Sequence, residues 1–139
     1  MPKVLLDTDI FSEILKSVDR RIVRRAEEYI ASEGPYAISS ITVMEIVKGL
    51  RKKGQQERIA KFVEGLATVP VLDFDAASAE LAGRMAADLE ESGQPIGRAD
   101  PMVAAIALRN NLTLVTGNLS HFGRIVSCGY PLSLDNWRA

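Results

Sequence analysis

The sequence predicts an α/β protein in which a mostly parallel sheet of four to five strands is covered by helices on both faces. Two observations predict it. Short apolar runs bounded by Gly, Pro, Asp or Asn alternate from end to end with longer stretches of helical periodicity, and parallel strands need such helical crossovers. The chain of 139 residues is 47% hydrophobic, enough for one core, and no repeat, low-complexity segment or linker divides it. Residues 1–139 are therefore expected to form a single domain.

Lys3 to Asp7 reads as a short buried strand, followed by a helix over Ile10 to Lys16 capped by Thr8 or Asp9. Arg20 to Ser32 makes a second helix, with Ile22, Val23, Ala26, Tyr29 and Ile30 near helical spacing, ending at Gly34-Pro35. Tyr36 to Ser39 is the second strand. Thr42, with Glu45 three residues later, has the form of a capping box, and Val43, Ile46, Val47 and Leu50 carry that helix to Gly54. Another helix spans about Gln56 to Leu66. Val69 to Leu72 is the third strand, and Ala76 to Glu91 a long helix with Leu81, Met85 and Leu89 on one face. After the Gly93, Pro95 and Gly97 loop, Asp100 is expected to cap a helix whose first position suits Pro101. Thr113 to Thr116 is the fourth strand, ending in Gly117-Asn118, and Pro131 to Trp137 supplies an edge strand, with Trp137 covering an edge of the core.

One Cys and one His exclude a disulfide framework and the Cys/His sets that zinc prefers, so any metal must be held by oxygen, which points to Mg2+ or Mn2+. No apolar run approaches the length of a membrane span, and MPKVLLDTD turns acidic too soon for a secretory leader; a soluble, cytoplasmic protein is expected. The net charge of −1 argues against a generic polyanion binder. The cations are nevertheless clustered, at Arg20, Arg21, Arg24 and Arg25 and again at Lys48, Arg51, Lys52, Lys53, Arg58 and Lys61. Such runs serve either as solvated helix faces or as contacts to a phosphate backbone.

Three acids carry the functional argument: Asp7 closing the first strand, Glu45 just past the second, and Asp100 opening the helix that leads into the fourth. In open α/β sheets, sites form beyond the carboxyl ends of the strands, so one pocket can collect all three, together with Thr116 and Asn118. Two carboxylates about 4 Å apart repel by about 4 kcal/mol at an effective dielectric near 20, and a cluster of them usually implies a divalent cation. Each acid also has a plainer use. Asp7 can end a strand or help cap the next helix, a capping box accounts for Glu45, and an Asp before a helical Pro looks like an N-cap. Asp9, Asp73 and Asp75 read as caps and strand ends, Thr116 and Asn118 as ligand contacts or turn residues, and His121, the only histidine, as a hydrogen-bonded polar residue.

The stretches LLDTDIFSEILK, SSITVMEIVKGL, PIGRADPMVAAIAL, LVTGNLSHF and YPLSLDNW, taken in that order, resemble the PIN-domain ribonucleases, specifically the VapC toxins of type II toxin–antitoxin pairs. The resemblance implies a PIN-like α/β/α fold and a Mg2+- or Mn2+-dependent endoribonuclease that hydrolyses RNA phosphodiester bonds with metal-activated water. Asp7, Glu45 and Asp100 match the family's three main acidic positions, and Thr116 and Asn118 remain as supporting or phosphate contacts. Where many relatives carry a fourth acid, this chain has His121, which weighs against a second cation. Lys48, Arg51 and Lys52 become candidates for gripping RNA phosphates. The resemblance further implies a homodimer and a VapB-type antitoxin lying over the early helices, where Ile10, Phe11, Ile14 and Leu15 either line a groove or belong to the core.

Rival readings start from other features. Asp7-Thr8-Asp9 after a strand also suggests a phosphatase of the haloacid-dehalogenase type with Asp7 as nucleophile, although Phe11 stands where that motif has Thr or Val. A receiver-like signalling domain needs a late lysine, and the last one here is Lys61. A catalytically inactive PIN scaffold that only binds RNA rests on His121.

Overall fold

The computed structural model describes all residues, 1–139. Twelve elements follow in order: β1 (Val4–Leu6), α1 (Thr8–Lys16), α2 (Arg20–Glu33), β2 (Ile38–Ser39), α3 (Ser40–Lys52), α4 (Gln56–Gly65), β3 (Val71–Leu72), α5 (Ala76–Glu91), α6 (Ala99–Arg109), β4 (Thr113–Val115), α7 (Leu119–Ser127) and β5 (Leu134–Asp135). Every strand pairing is parallel. The strands form a three-stranded sheet, β1-β4-β5, and a two-stranded one, β2-β3, rather than one unbroken ladder. A single parallel bridge joins them: the Leu6 amide donates to the Ala37 carbonyl at 2.9 Å and the Ala37 amide to Val4 at 3.1 Å. The spatial order is therefore β3-β2-β1-β4-β5, and the chain reverses its direction of travel across the sheet between β1 and β4.

Adjacent residues of a strand face opposite sides, and this divides the apolar residues into two cores. Leu5 and Leu114 point to one, with Met85, Leu89, Ile106, Phe122 and Ile125 of α5, α6 and α7. Leu6 and Val115 point to the other, with Ile10, Phe11, Ile22 and Ile46 of α1, α2 and α3. Three layers result, as the alternation of elements requires. Ile10 and Phe11, at 0% and 3% exposure, are core rather than groove, whereas Leu15 is 52% exposed. Trp137 goes deeper than an edge: it is 3% exposed and packs its ring 5.9 Å from Tyr29 and 6.4 Å from Tyr36.

Four local expectations change. The N-cap of α1 is Asp7, not Thr8 or Asp9. The N-cap of α3 is Ser39, whose hydroxyl accepts the Thr42 amide at 3.2 Å, so Thr42 and Glu45 form no capping box. Asp100 is the second residue of α6, whose start has no side-chain cap. Helix α7 is an element that the strand-end reading of Gly117-Asn118 passes over, although Leu119, Phe122, Ile125 and Val126 recur at helical spacing; only Gly123 in its middle argues against a helix. Asp75, by contrast, caps α5 through the Ser78 amide at 2.8 Å. No helix is long and apolar enough to cross a membrane.

Candidate active site

Asp7 leaves the carboxyl end of β1 and at once caps α1. Its Oδ1 accepts the Thr8 amide at 2.9 Å, and its Oδ2 accepts the hydroxyl of Thr116, just past β4, at 2.8 Å. Thr116 is itself fully buried, and its oxygen accepts the Asn118 amide at 3.0 Å, so its single proton is committed to Asp7. Burial pushes the Asp7 carboxyl up to about 6; the Thr116 donor opposes the rise, and the negative charges of Asp9 and Asp100 add to it. A desolvated carboxylate facing two others is electrostatically poised for a cation. Replacing Thr116 with Val should cost about 1–3 kcal/mol at pH 8, because the ionised Asp7 and the Asn118 amide each lose a partner. Below about pH 3 Asp7 is protonated in folded and unfolded chains alike, and the cost should shrink. Thermal melts at both pH values check this; equal costs would mean that the hydroxyl does not support the charged carboxylate.

Glu45 sits in the second turn of α3, where capping cannot explain it. The Thr8 hydroxyl donates to Glu45 Oε1 at 2.5 Å and lies 2.9 Å from the Thr42 hydroxyl. With the Thr8 proton given to Glu45, Thr42 donates to Thr8. Thr42 and Glu45 share a helix face at i, i+3 spacing, and Thr8 links that face to the residue beside Asp7. Thr8 was missed in the sequence, where its only visible role was as a cap.

Asp100 lies in the first turn of α6, with Oδ2 3.3 Å from His121 Nδ1; that nitrogen is also 3.0 Å from the Asn118 side-chain amide. One ring nitrogen cannot accept from Asn118 and donate to Asp100 at once, so the tautomer of His121 and the orientation of Asn118 are coupled. The only histidine is thus beside an acid of the pocket.

Asp9 joins the first turn of α1 to the β4 turn: its Oδ1 accepts the Ile10 amide at 2.8 Å. Its Oδ2 accepts the Gly117 amide at 2.9 Å and lies 3.6 Å from the Arg138 guanidinium, which also approaches Glu13 at 3.8 Å. A Cβ at Gly117 would stand 2.4 Å from Arg138 Nη1 and 2.6 Å from Asp9 Oδ2, so this turn needs glycine for close approach. Nothing in the sequence connects Arg138 with Asp9.

The basic residues divide. Arg51 donates to Gln56 at 3.2 Å, while Arg21 pairs with Asp19 and Arg25 with Asp135. Lys48 and Lys52 instead line a groove of about 490 Å³ together with Glu45 and Arg98. The acids do not close into a ready-made cage, since no three Asp, Glu, His or Cys side chains stand at metal-ligand spacing. Asp7, Glu45 and Asp100 offer oxygen donors, the type that suits a hard divalent cation.

Set against known proteins, residues 4–125 match the family model of the PIN domain. The chain is 35% identical to the tRNA(fMet)-specific endonuclease VapC of Shigella flexneri, over 90% of this chain and 93% of the relative. It is 33% identical to ribonuclease VapC2 of Haemophilus influenzae, over 99% of both. Among solved structures it is similar to DNA-bound VapBC of Salmonella typhimurium, with a TM-score of 0.81 and 33% identity over 99% of both chains. VapBC2 of Rickettsia felis, bound to a promoter fragment, gives 0.79 and 30% over 96% of this chain and 98% of that one.

Proposed function

Because the chain belongs to the PIN-domain family, we infer that it is an endoribonuclease, the toxin of a type II toxin–antitoxin pair. Its acting carboxylates in this reading are Asp7, Glu45 and Asp100, and its cofactor is Mg2+ or Mn2+. One observation carries it: a buried Asp7, its carboxyl raised by burial and by the charges of Asp9 and Asp100, stands where the sheet reverses direction, one residue from the hydroxyl that holds Glu45. Membership of that family sets aside the phosphatase and receiver readings.

Asp7 and Asp100 would hold the cation, with Glu45 joining directly or through water and substrate phosphate adding oxygen, in keeping with the preference of Mg2+ for partly solvated sites. When bound, the cation supplies an acidified water and positive charge against the phosphate. The chain supplies orientation: Thr116 and the Thr8 amide hold the two oxygens of Asp7, and the Thr8 hydroxyl holds Glu45. His121 and Asn118 position Asp100 from the other side.

A VapB-type antitoxin is the partner, as in the VapBC complexes to which this fold is similar. Leu15 and Val18, 52% and 73% exposed at the end of α1, offer it apolar surface. We take residues 1–139 as one PIN domain, acting as a homodimer in the cytoplasm.

Transfer RNA is the first substrate to test, since the Shigella relative is named for it. The purified chain should cut it in Mn2+ or Mg2+, stop in EDTA and resume when Mn2+ is restored. RNA bound but left intact under every metal would favour the inactive scaffold, and cutting that ignores EDTA would remove the metal from the mechanism.

A further inference from the structure

We propose that the groove beside Glu45 is a subsite for one unpaired ribonucleotide, with Lys48, Lys52 and Arg98 on its flanking phosphates and its base against Met44 and Met102. The proposal deepens the nuclease reading above and rests on it. One wall of the groove is α3, where Met44, Lys48 and Lys52 recur at i, i+4 spacing and Glu45 lies at the edge; the other is Arg98 and Met102 around the start of α6. The volume, about 490 Å³, is in the range of pockets that hold one small organic ligand.

Charge identifies the occupant. Lys48, Lys52 and Arg98 make no ion pair or side-chain hydrogen bond, which is equally true of Lys16, Arg20, Arg24 and Lys61, but these three line one groove. The sole acid in the groove is Glu45, which the Thr8 hydroxyl already engages. Three exposed cations on one groove, none paired with an acid, suit a ligand with successive negative charges.

The two methionines add what a simple anion site would lack. Met44, 52% exposed, gives the groove an apolar, polarizable surface together with Met102. Thioethers pack well against aromatic rings, and a nucleobase can reach such a surface only when it is out of a helical stack. Arg98 is two residues before Asp100, and Glu45 borders the same groove, so the bound nucleotide lies next to the bond to be cut. This assigns Arg98 a role that no sequence feature signalled, and selects single-stranded or looped RNA as substrate.

The test measures binding of the full chain carrying Asp7→Asn, which blocks cleavage, to a short fluorescent single-stranded RNA and to the same RNA with one abasic position scanned along it. Arg98→Gln should weaken binding about tenfold at low salt and reduce the slope of log affinity against log salt by about 0.7, the loss of one single-strand phosphate contact. At one position the abasic RNA should bind about fivefold more weakly, and the double variant Met44→Ala, Met102→Ala should erase that difference. Arg98 and Met44 lie outside the core, so Arg98→Gln should melt like the parent; Met102 packs against the core, so the double variant is compared at a temperature where its melt shows it fully folded. An unchanged salt slope with Arg98→Gln, or equal affinity for every abasic RNA, overturns the subsite. Loss of polyglutamate binding in Arg98→Gln with RNA binding intact would assign the cations to a protein partner and also overturn it. If the unaltered chain cuts RNA while these measurements fail, only the subsite is lost; if it cuts no RNA at all, the nuclease reading itself falls.

Discussion

Asp7→Asn should lower the rate of RNA cleavage by about 10³-fold or more and yet yield a metal-free protein more stable than the parent at pH 8. The carboxyl of Asp7 is pushed up to about 6 from an ordinary 3.8, first by burial and then by Asp9 and Asp100. Its charge therefore costs the folded chain about 3 kcal/mol once the pH is above 6. The sign follows from the direction. Below about 3 the group is protonated in folded and unfolded chains alike and costs nothing; between about 4 and 6 the unfolded chain ionises while burial keeps the folded carboxyl protonated, so stability falls across that window and levels off above 6. Asn is neutral throughout and caps a helix as well as Asp. The Thr116 hydroxyl can turn to accept from the new amide, so most of the gain should survive, about 2 kcal/mol at pH 8 and close to none below about pH 3. If Asp7 holds the cation, as proposed above, binding draws on its ionised form, and apparent Mn2+ affinity should fall about tenfold between pH 7.5 and pH 5 in the parent. Melts of both proteins across this range, with calorimetric Mn2+ titrations of the parent, check each part. A variant less stable than its parent at pH 8 would show that Asp7 serves mainly to hold the strand end.

Trp137→Ala should be the most damaging single change to stability, about 3–5 kcal/mol. The residue is third from the end of the chain, a place where fraying is ordinary, but its ring fills the core between α1, α2 and the sheet and packs against Tyr29 and Tyr36. The damage should spread to the pocket. Trp137 anchors the segment that carries Arg138 to Asp9 and Glu13, and Asp9 in turn holds the Gly117 amide in the turn between Thr116 and Asn118. Urea unfolding gives the energy, and Mn2+ affinity of the surviving folded protein gives the coupling. A loss under about 1 kcal/mol would mean that the tail rests on the core without belonging to it. Arg138→Gln, which spares the ring, should leave stability within about 0.5–1 kcal/mol because its ion pairs are partly solvated.

The sequence by itself determined the layered architecture, the position of every strand and the presence of acids at the strand ends, because these depend on local quantities. An apolar run bounded by breakers can only be buried, and helical stretches between such runs can only cross over. Asp7, Glu45 and Asp100 stand out as candidates for a similar reason, each lying at the end of a buried strand or near the start of a helix. Local reading failed where two local explanations coincided. Thr42 with Glu45 imitates a capping box and Asp100 with Pro101 imitates a cap, yet Ser39 caps one helix and no side chain caps the other. Only the tertiary structure decided what each acid touches: Asp7 caps α1, while Glu45 and Asp100 cap nothing. Thr116 meets Asp7 across 109 positions of the chain, Asp9 meets Gly117 across 108, and Thr8 meets Glu45 across 37. No periodicity records such pairs, since packing of the two cores sets their distance. The shift in the Asp7 carboxyl has the same origin, for burial and neighbouring charge are properties of a place in the fold and not of an aspartate in a sequence.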